Sequence, residues 1–287
     1  MNLIKQKIKF LFKKIESLYF KYNKKEVILI KEKQNKNFVN GFLYIVFGDS
    51  FTKEAILSIK SLKRYNNEPI AIFTDHEEFL EEIKNDIDFI YKIEPHHKRA
   101  KVDFIKKTPF QKTIYLDSDT IIASNISDIF ELLDKFDIAY TIDFARKRKN
   151  MSEKIKEYSE IPYSFSEING GVLAFRKNNY VDEFLDKWKN YFYKFFAETN
   201  GWDQPSLRIA LWESNLKLIC LPFEYNVRPK KLIDKIKNSK DILGEQHMKS
   251  RIYHMHYAEK IHENEFKIEA LNEAEEIIEK MKIEVSY

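Results

Sequence analysis

Between Phe42 and Leu116 the chain alternates apolar runs typical of buried strands with stretches of helical periodicity. The apolar runs cover residues 43–47, 69–74, 89–93 and 113–116, and the helical stretches cover residues 52–65, 78–85 and 102–106. This alternation predicts an α/β fold, with a mostly parallel mixed sheet and helices on both faces. Further along, residues 166–176 predict another strand and residues 181–197 a helix with a buried aromatic stripe.

Short polar segments follow several of the predicted strands. They are Gly48-Asp49-Ser50, Asp75 and Asp117-Ser118-Asp119. Ligands of parallel sheets bind beyond the carboxyl ends of the strands, so one crevice could collect all three segments. On extended backbone Asp117 and Asp119 face the same side, and two carboxylates suit Mg²⁺ or Mn²⁺. The alternative is a turn in which both aspartates accept hydrogen bonds from nearby backbone amides.

Glycine and cysteine exclude several kinds of site. The whole sequence contains six glycines, and their positions permit neither a G-x-G-x-x-G fingerprint nor a G-x-x-x-x-G-K loop. If the protein binds a nucleotide, cationic side chains or a metal ion must neutralise the phosphates. The single cysteine, Cys220, excludes an internal disulfide and a Cys-rich zinc module, and it suits a reducing compartment.

The net charge of +4 is unevenly distributed. Residues 1–35 carry ten lysines against three glutamates, whereas residues 261–287 carry three lysines against eight glutamates. The body between them is nearly neutral and lacks the clustered basic stripe of a nucleic-acid-binding protein, so we expect no nucleic-acid partner. No apolar run approaches the 18 or more residues of a membrane-spanning helix.

The N-terminal lysines belong to a predicted basic amphipathic helix over residues 4–22. Its apolar positions, at helical spacing, are Ile4, Ile8, Leu11, Phe12, Ile15, Leu18, Tyr19 and Tyr22. Two interpretations remain open. The helix could dock on the body of the protein or on a partner chain, or it could anchor the protein peripherally on an anionic membrane surface. A second helix, near residues 265–282, is predicted in the acidic C-terminal part.

The segment Leu116-Asp117-Ser118-Asp119 resembles the D-x-D signature of nucleotide-sugar glycosyltransferases with the GT-A fold. The likeness is strongest to glycosyltransferase family 8, which includes glycogenin and the lipopolysaccharide galactosyltransferases, and to its bacterial relatives. Four further segments resemble this family in the right order: Lys98-Arg99-Ala100-Lys101, Asn169-Gly170-Gly171-Val172, Trp202-Asp203-Gln204, and Leu221-Pro222 through Tyr225-Asn226. The resemblance implies a single GT-A catalytic domain over residues 37–260, between a basic segment 1–36 and an acidic helix 261–287.

The family closes its metal site with H-x-x-G-x-x-K, in which the histidine binds the ion and the lysine meets the diphosphate. His254 and Lys260 keep this spacing, but Tyr257 replaces the glycine and no Pro-Trp pair follows. The departure leaves open whether His254 or His256 is the ligand. Two exposed histidines on a strand, without a metal, are the other interpretation.

The resemblance implies a role for each matched residue. Asp117, Asp119 and His254 or His256 would hold Mn²⁺ (or Mg²⁺), and Asp203, Gln204 and Asn169 would lie at the reacting sugar. The donor would be a nucleotide sugar, by the family's habit a UDP-sugar, and the anomeric configuration would be retained. The expected donor-binding residues are Gly48, Asp49, Asp75, Lys101, Asp117, Ser118, Gly170, Gly171 and Lys260.

These inferences predict a metal-dependent glycosyltransferase that moves a hexose-type sugar to a surface-glycan acceptor, either a glycan or a glycolipid. We expect a cytoplasmic enzyme, and the membrane interpretation of residues 4–22 adds a peripheral position on the inner face of the cell membrane. The acceptor site is expected on loops such as residues 144–165, which predict a mobile surface loop. One alternative is a non-catalytic carbohydrate-binding protein of the same fold. A haloacid-dehalogenase-like phosphatase also has D-x-D, but its Gly-Thr and downstream G-D-x-x-x-D are missing here.

Overall fold

The computed structural model describes residues 2–33, 38–143, 145–228 and 251–254. The sequence-based expectations for His256, Tyr257, Lys260 and the C-terminal helix 261–287 lie outside the described residues. Within the described part, the chain folds as a mixed α/β structure around one large sheet.

Eight strands of the described residues form this sheet, in the spatial order β1-β4-β3-β2-β5-β8-β7-β9. Along the chain they are β1 (Val27–Glu32), β2 (Asn40–Ile45), β3 (Ile70–Thr74), β4 (Phe89–Ile93), β5 (Lys112–Leu116), β7 (Ile138–Ile142), β8 (Ile168–Arg176) and β9 (Leu218–Cys220). The short strands β6 (Thr120–Ile122) and β10 (Ile252–His254) pair separately and antiparallel.

The predicted alternation of strands and helices is confirmed. The neighbours β4, β3, β2 and β5 are all parallel, and helical segments connect them along the chain. Strand β8 runs antiparallel to both β5 and β7. Its amino end therefore lies at the same edge of the sheet as the carboxyl ends of β2, β5 and β7.

The helices of the described residues cover both faces of the sheet. They are α1 (Asn2–Tyr22), α2 (Asp49–Lys63), α3 (Lys101–Phe104), α4 (Asp128–Leu132), α5 (Lys149–Ser152), α6 (Lys156–Glu160), α7 (Asn179–Lys194), α8 (Phe196–Thr199) and α9 (Gln204–Trp212). Three 3₁₀ segments, Glu77–Asp86, Ile105–Lys107 and Phe223–Tyr225, complete the set. None of the helices within these ranges is long and apolar enough to cross a bilayer.

Each face of the sheet carries its own core. In β2, Phe42 and Tyr44 pack into one core, and Leu43 and Ile45 pack into the other. Successive strand residues point to opposite faces, so a strand covered on both sides is apolar at every position. The aromatic stripe of α7 packs into the second core, where Trp188 is fully buried, as the sequence predicts.

Strand β1 was not expected from the sequence. Its residues fall within the basic segment 1–36 of the sequence, but they pair antiparallel with β4 at the edge of the sheet. The sheet therefore begins before residue 37.

The prediction of a mobile surface loop over residues 144–165 is wrong for its central part. Helices α5 and α6 bury Met151, Ile155, Tyr158 and Ile161 against Phe195 and Ile209. The buried Arg208 of α9 also donates hydrogen bonds to backbone carbonyls of this segment, including that of Phe165 at 2.6 Å. The apolar residues recur every three or four positions, which is helical spacing, although each helix spans little more than one turn.

Candidate functional site

A cavity of about 1050 Å³ opens at the edge of the sheet where β2 and β5 end and β8 begins. Ten of the residues that the sequence singled out line it: Lys101, Asp117, Ser118, Asp119, Asn169, Gly170, Gly171, Asp203, Gln204 and His254. The strand order explains this grouping, because the segments that follow or precede these strands meet at one edge.

The centre of the cavity wall is formed by Asp117, Asp119 and His254. Asp117 follows β5, and its backbone N–H donates to the carbonyl of Gly171 at 2.8 Å. Strand β10 pairs His254 with Thr120 of β6, which brings the imidazole beside both carboxylates. His254 Nε2 lies 3.1 Å from Asp119 Oδ1 and 3.9 Å from Asp117 Oδ2.

The orientation of the His254 ring is set by Asn226. The Asn226 side-chain amide donates to Thr141 Oγ1 at 2.8 Å, so its oxygen accepts from His254 Nδ1 at 2.9 Å. This arrangement places a ring proton on Nδ1 and turns Nε2 toward the two carboxylates. Metal-binding histidines are commonly held in this way, through their second ring nitrogen.

Gly171 leaves the space that His254 occupies. A Cβ atom at Gly171 would lie 2.3 Å from His254 Cε1 and 2.8 Å from Nδ1. Any other residue at this position would therefore displace the imidazole.

The side chains fit a divalent cation. Asp117, Asp119 and His254 each offer one ligand atom, and these three atoms lie within 4.8 Å of one another. An Nε2 lone pair that faces two carboxylates requires a cation or a proton between them, since all three groups are acceptors. Carboxylate oxygens with one imidazole suit Mn²⁺ or Mg²⁺, with some preference for Mn²⁺.

A buried lysine joins the two acidic parts of the cavity. Lys101 Nζ lies 3.0 Å from Asp117 Oδ1, 3.0 Å from the Gly170 carbonyl and 3.4 Å from Asp203 Oδ2. Burial lowers the pKa of Lys101, but the carboxylates of Asp117 and Asp203 outweigh burial and raise it above its usual value. Lys101 is therefore a permanent positive charge at neutral pH.

Asp203 lies at the start of α9, where Lys101 and Arg99 pair with it. Arg99 Nε is 3.2 Å from Asp203 Oδ1. Burial raises the pKa of Asp203, but the two cations outweigh burial, so the pKa lies below its usual value. Its buried Oδ2 atom lies 3.4 Å from Lys101 Nζ without a well-aligned hydrogen bond within the described residues, which makes it a candidate acceptor for a substrate hydroxyl.

Gln204 is the next residue, on α9, and hydrogen bonds from its amide nitrogen fix its side chain. Gln204 Nε2 donates to the Ile168 carbonyl at 2.8 Å and to Asp143 Oδ2 at 3.1 Å. Asp143 also pairs with Arg228 at 3.0 Å and Arg148 at 3.4 Å.

Asn169, Ser118 and the glycine turn complete the wall. Asn169 Oδ1 accepts from the Gly171 N–H at 2.9 Å. Ser118 Oγ donates to Glu54 Oε2 at 3.1 Å, and burial, with smaller contributions from Asp119 and Asp117, raises the pKa of Glu54 to about 8.

Three of the expected donor-binding residues lie outside the cavity lining. Gly48 and Asp75 come together, because the Gly48 N–H donates to Asp75 Oδ1 at 2.8 Å. Gly48 adopts a φ of 83°, which favours glycine. Asp49 begins α2 and accepts from the Ser50 N–H. Val46, Phe47 and Phe51, close to Gly48 and Asp49 in the chain, line the cavity instead.

Several residues of the site have no role predicted from the sequence. They are Glu54, Tyr115, Asp143, Arg148, Asn226 and Arg228. Asp143 follows β7, so the strand-end argument that selected Asp117 could have found it as well. Glu54 lies inside a helix, and no local pattern marks it.

Comparisons with known proteins identify a family for this chain and related folds. The family described as nucleotide-diphospho-sugar transferase matches residues 111–271, which is more than half of the chain. A search of curated proteins found no match.

Among solved structures, the apo form of mouse xyloside xylosyltransferase 1 is similar, with a TM-score of 0.50 and 12% identity over 75% of this chain and 97% of that chain. An active-site mutant of LgtC has a TM-score of 0.53 and 12% identity over 81% of this chain and 95% of its own. The galactosyltransferase LgtC in complex with donor and acceptor sugar analogs has a TM-score of 0.51 and 12% identity. The match covers 75% of this chain and 87% of that chain. At this identity the likeness shows a shared fold.

Proposed function

We propose that this chain, which belongs to the nucleotide-diphospho-sugar transferase family and is a glycosyltransferase of the GT-A fold, is metal-dependent and transfers a hexose-type sugar to a glycan acceptor. The observation that carries the proposal is the placement of Asp117, Asp119 and His254 beside Lys101 and Asp203 in one cavity. We also propose that residues 37–260 form the catalytic domain, joined by β1, and that residues 1–36 and 261–287 flank it.

The donor diphosphate would lie against the carboxylate–imidazole set and the neighbouring Lys101. Asp117, Asp119 and His254 would hold Mn²⁺ or Mg²⁺, which supplies Lewis-acid stabilisation of the negative charge on the departing diphosphate. Lys101 contributes a fixed positive charge beside the same position. Lys260, outside the described residues, is proposed to do the same from the C-terminal side, and His256 stays the alternative to His254.

The sugar would lie against Asp203, Gln204 and Asn169. The ionised Asp203 accepts a hydrogen bond from a sugar hydroxyl through Oδ2, and Lys101 and Arg99 keep the carboxylate in place. Gln204 is anchored through Nε2, which leaves its side-chain oxygen to the cavity. No residue is needed as a general base if the anomeric configuration is retained, and we propose retention on the family resemblance.

The base and ribose would occupy the region near Val46, Phe47 and Phe51, with Gly48, Asp49 and Asp75 behind it. We propose a UDP-sugar as the donor, since the family favours it. We further propose a surface-glycan acceptor and a cytoplasmic enzyme, consistent with the single Cys220.

Donor turnover tests the proposal. The purified protein is incubated with UDP-glucose or UDP-galactose in MnCl₂, and release of UDP is measured. We expect release that requires Mn²⁺ and that falls by about a hundredfold or more in Asp119→Asn. The matched control is Asp186→Asn, the same chemical change at an exposed carboxylate that pairs with Lys106 at 2.7 Å on the surface, and it should leave turnover unchanged.

Two other outcomes would contradict the proposal. Cleavage of p-nitrophenyl phosphate without release of UDP would favour the phosphatase alternative. Binding of a glycan without turnover of any nucleotide sugar would favour the carbohydrate-binding alternative.

A further inference from the structure

Helix α1 docks on the body through its polar side. Ser17 is buried and donates to the Tyr193 carbonyl at 2.6 Å, and Lys13 donates to Asn200 Oδ1. Phe20 packs edge-on against Phe196, with ring centroids 5.7 Å apart. These three positions lie on one side of the helix, because they are separated by four and three residues.

The apolar side of α1 faces away from the body. Leu11, Phe12, Ile15, Leu18 and Tyr22 are between 56% and 76% exposed. At 100° per residue their side chains lie opposite Lys13, Ser17 and Phe20. An amphipathic helix normally buries its apolar face, so this orientation departs from the docked interpretation of residues 4–22, which would turn the apolar face inward.

Lysines border the exposed apolar face on both edges. By the same geometry, Lys7 and Lys14 lie along one edge, and Lys5 lies along the other. These three lysines are exposed, and the one acidic residue of the helix, Glu16, shares the edge of Lys5, away from the centre of the apolar face. Apolar residues flanked by lysines are complementary to the acyl boundary and the anionic headgroups of a membrane surface.

The same helix forms part of the active-site cavity. Lys13, Glu16 and Phe20 line it, together with Trp202 and Asp203. The cavity and the apolar face are therefore separated by about one helix diameter, ~10 Å. An acceptor sugar that projects from a bilayer could reach the cavity over that distance.

We propose that the exposed face of α1, defined by Leu11, Phe12, Ile15, Leu18 and Tyr22, docks on an anionic membrane and that the acceptor is a glycan carried by a lipid of that membrane. Membrane docking rests on α1 alone, whereas the acceptor class rests on the proposed glycosyltransferase function. Docking would place the lipid-borne sugar and the cytoplasmic donor at opposite sides of one cavity.

Vesicle flotation of the full chain tests the docking. Wild type should float with vesicles of phosphatidylcholine and phosphatidylglycerol, but not with phosphatidylcholine alone. The double variant Phe12→Ser/Ile15→Ser should bind the anionic vesicles at least about tenfold more weakly than wild type. Lys5→Gln/Lys7→Gln should lose about fivefold in vesicle affinity for each lysine replaced. The control Tyr163→Ser/Tyr180→Ser removes two equally exposed rings elsewhere and should float like wild type.

Three results would overturn the docking. Wild type that does not float with anionic vesicles contradicts it, as does a Phe12→Ser/Ile15→Ser variant that floats equally well. The third result is a wild-type protein that is a dimer and a Phe12→Ser/Ile15→Ser variant that is a monomer, with neither binding vesicles. In that case a second copy of the chain, and not a membrane, covers the exposed face of α1. Unchanged thermal unfolding of the variant confirms that it is folded.

Transfer of labelled sugar tests the acceptor class. UDP-sugar labelled in the hexose is incubated with the enzyme and vesicles made from a total lipid extract of the source cells. The proposal is supported if labelled sugar appears in the organic phase and if less of it appears there with Phe12→Ser/Ile15→Ser. In the same variant, the release of UDP without acceptor should stay at the wild-type level. Label found only in water-soluble glycan overturns it. Absence of UDP release from any donor would contradict the glycosyltransferase function and leave the flotation result standing.

Discussion

At the residue scale, the position of His254 depends on a single missing side chain. Gly171 lies on β8, directly against the imidazole, and has no Cβ to displace it. The sequence matched this glycine to a family turn beside the sugar. The structure adds that the glycine also makes room for the proposed metal ligand.

We predict that Gly171→Ala weakens Mn²⁺ binding by about 10- to 100-fold, because the new methyl group shifts His254 out of line with Asp119. Overpacking should also lower the free energy of unfolding by about 1–3 kcal/mol. Isothermal titration with MnCl₂ and urea unfolding measure the two effects.

The neighbouring Gly170→Ala is the matched control. Its Cβ would lie 3.3 Å from Lys101 Nζ, which asks for a shift of only a few tenths of an ångström, and it would not lie against His254. Mn²⁺ affinity should therefore stay close to that of wild type. Equal losses of affinity in the two variants would show that His254 is not the residue being displaced.

At the element scale, one buried carboxylate joins three segments. Asp103 of α3 accepts from Tyr193 of α7 at 2.7 Å and lies 2.9 Å from Lys189 on the same helix. It also contacts His97 Nε2 at 3.0 Å and lies 3.7 Å from Lys25, which leads from α1 into β1. This cluster holds α3, and with it Lys101, against the body of the protein.

We predict that Asp103→Asn lowers the free energy of unfolding by about 3–5 kcal/mol at pH 7, since it leaves Lys189 and Lys25 near a neutral group. Burial raises the pKa of Asp103, but His97 and Lys189 outweigh burial and hold the pKa at about 2. A depressed carboxyl pKa stabilises the folded state above pH 3.8 and loses this effect as the pH falls toward 2. Urea unfolding should thus show the two proteins converging below pH 4.

Asp186→Asn serves as control here too, because its pair with Lys106 is on the surface and is worth about 1 kcal/mol or less. The proposed role of Asp103 would be contradicted if Asp103→Asn lowered the free energy of unfolding by no more than Asp186→Asn does. It would also be contradicted if the loss were the same at every pH between 7 and 3.

The elements that sequence patterns missed share a physical cause. Helices α5 and α6 are four and five residues long, and helices this short are stable only when packed. Strand β1 has exposed apolar residues such as Ile28 and lies at an edge, so its pairing with β4 depends on the rest of the sheet.

At the scale of the whole molecule, folding should be coupled to donor binding. The cavity draws residues from β5, β8, α3, α9 and β10, none of which forms the site by itself. A ligand that binds only the assembled site stabilises the whole fold by mass action.

We predict that UDP raises the melting temperature in the presence of Mn²⁺ and not in EDTA. At a UDP concentration of 100 times its Kd, the stabilisation is about 2.7 kcal/mol. Differential scanning fluorimetry with UDP, with and without MnCl₂, measures the shift in melting temperature. In Asp119→Asn, adding MnCl₂ should no longer increase the shift that UDP causes. A shift of equal size in EDTA would contradict the Asp117–Asp119–His254 site.

The sequence by itself determined the α/β class, the succession of most strands and helices along the chain, and the carboxylates Asp117 and Asp119 at a strand end. These features are local, because they depend on the periodicity and identity of neighbouring positions. The other cavity residues that the sequence marked, such as Asn169, Asp203 and His254, followed from the resemblance of short segments to a known family. The tertiary structure decided which distant groups meet. It placed His254 beside Asp119 through the pairing of β10 with β6, and it brought Asn226 to the imidazole and Glu54 to Ser118.

The tertiary structure also decided which side of α1 faces the body. The spacing of its residues predicts an amphipathic helix, but periodicity cannot tell whether the apolar side is turned inward or outward. That orientation depends on Ser17, Lys13 and Phe20 finding partners on α7 and α8 and on the loops that follow β4 and α8. Contacts between residues far apart in the chain leave no local pattern, and for this reason only the folded protein reveals them.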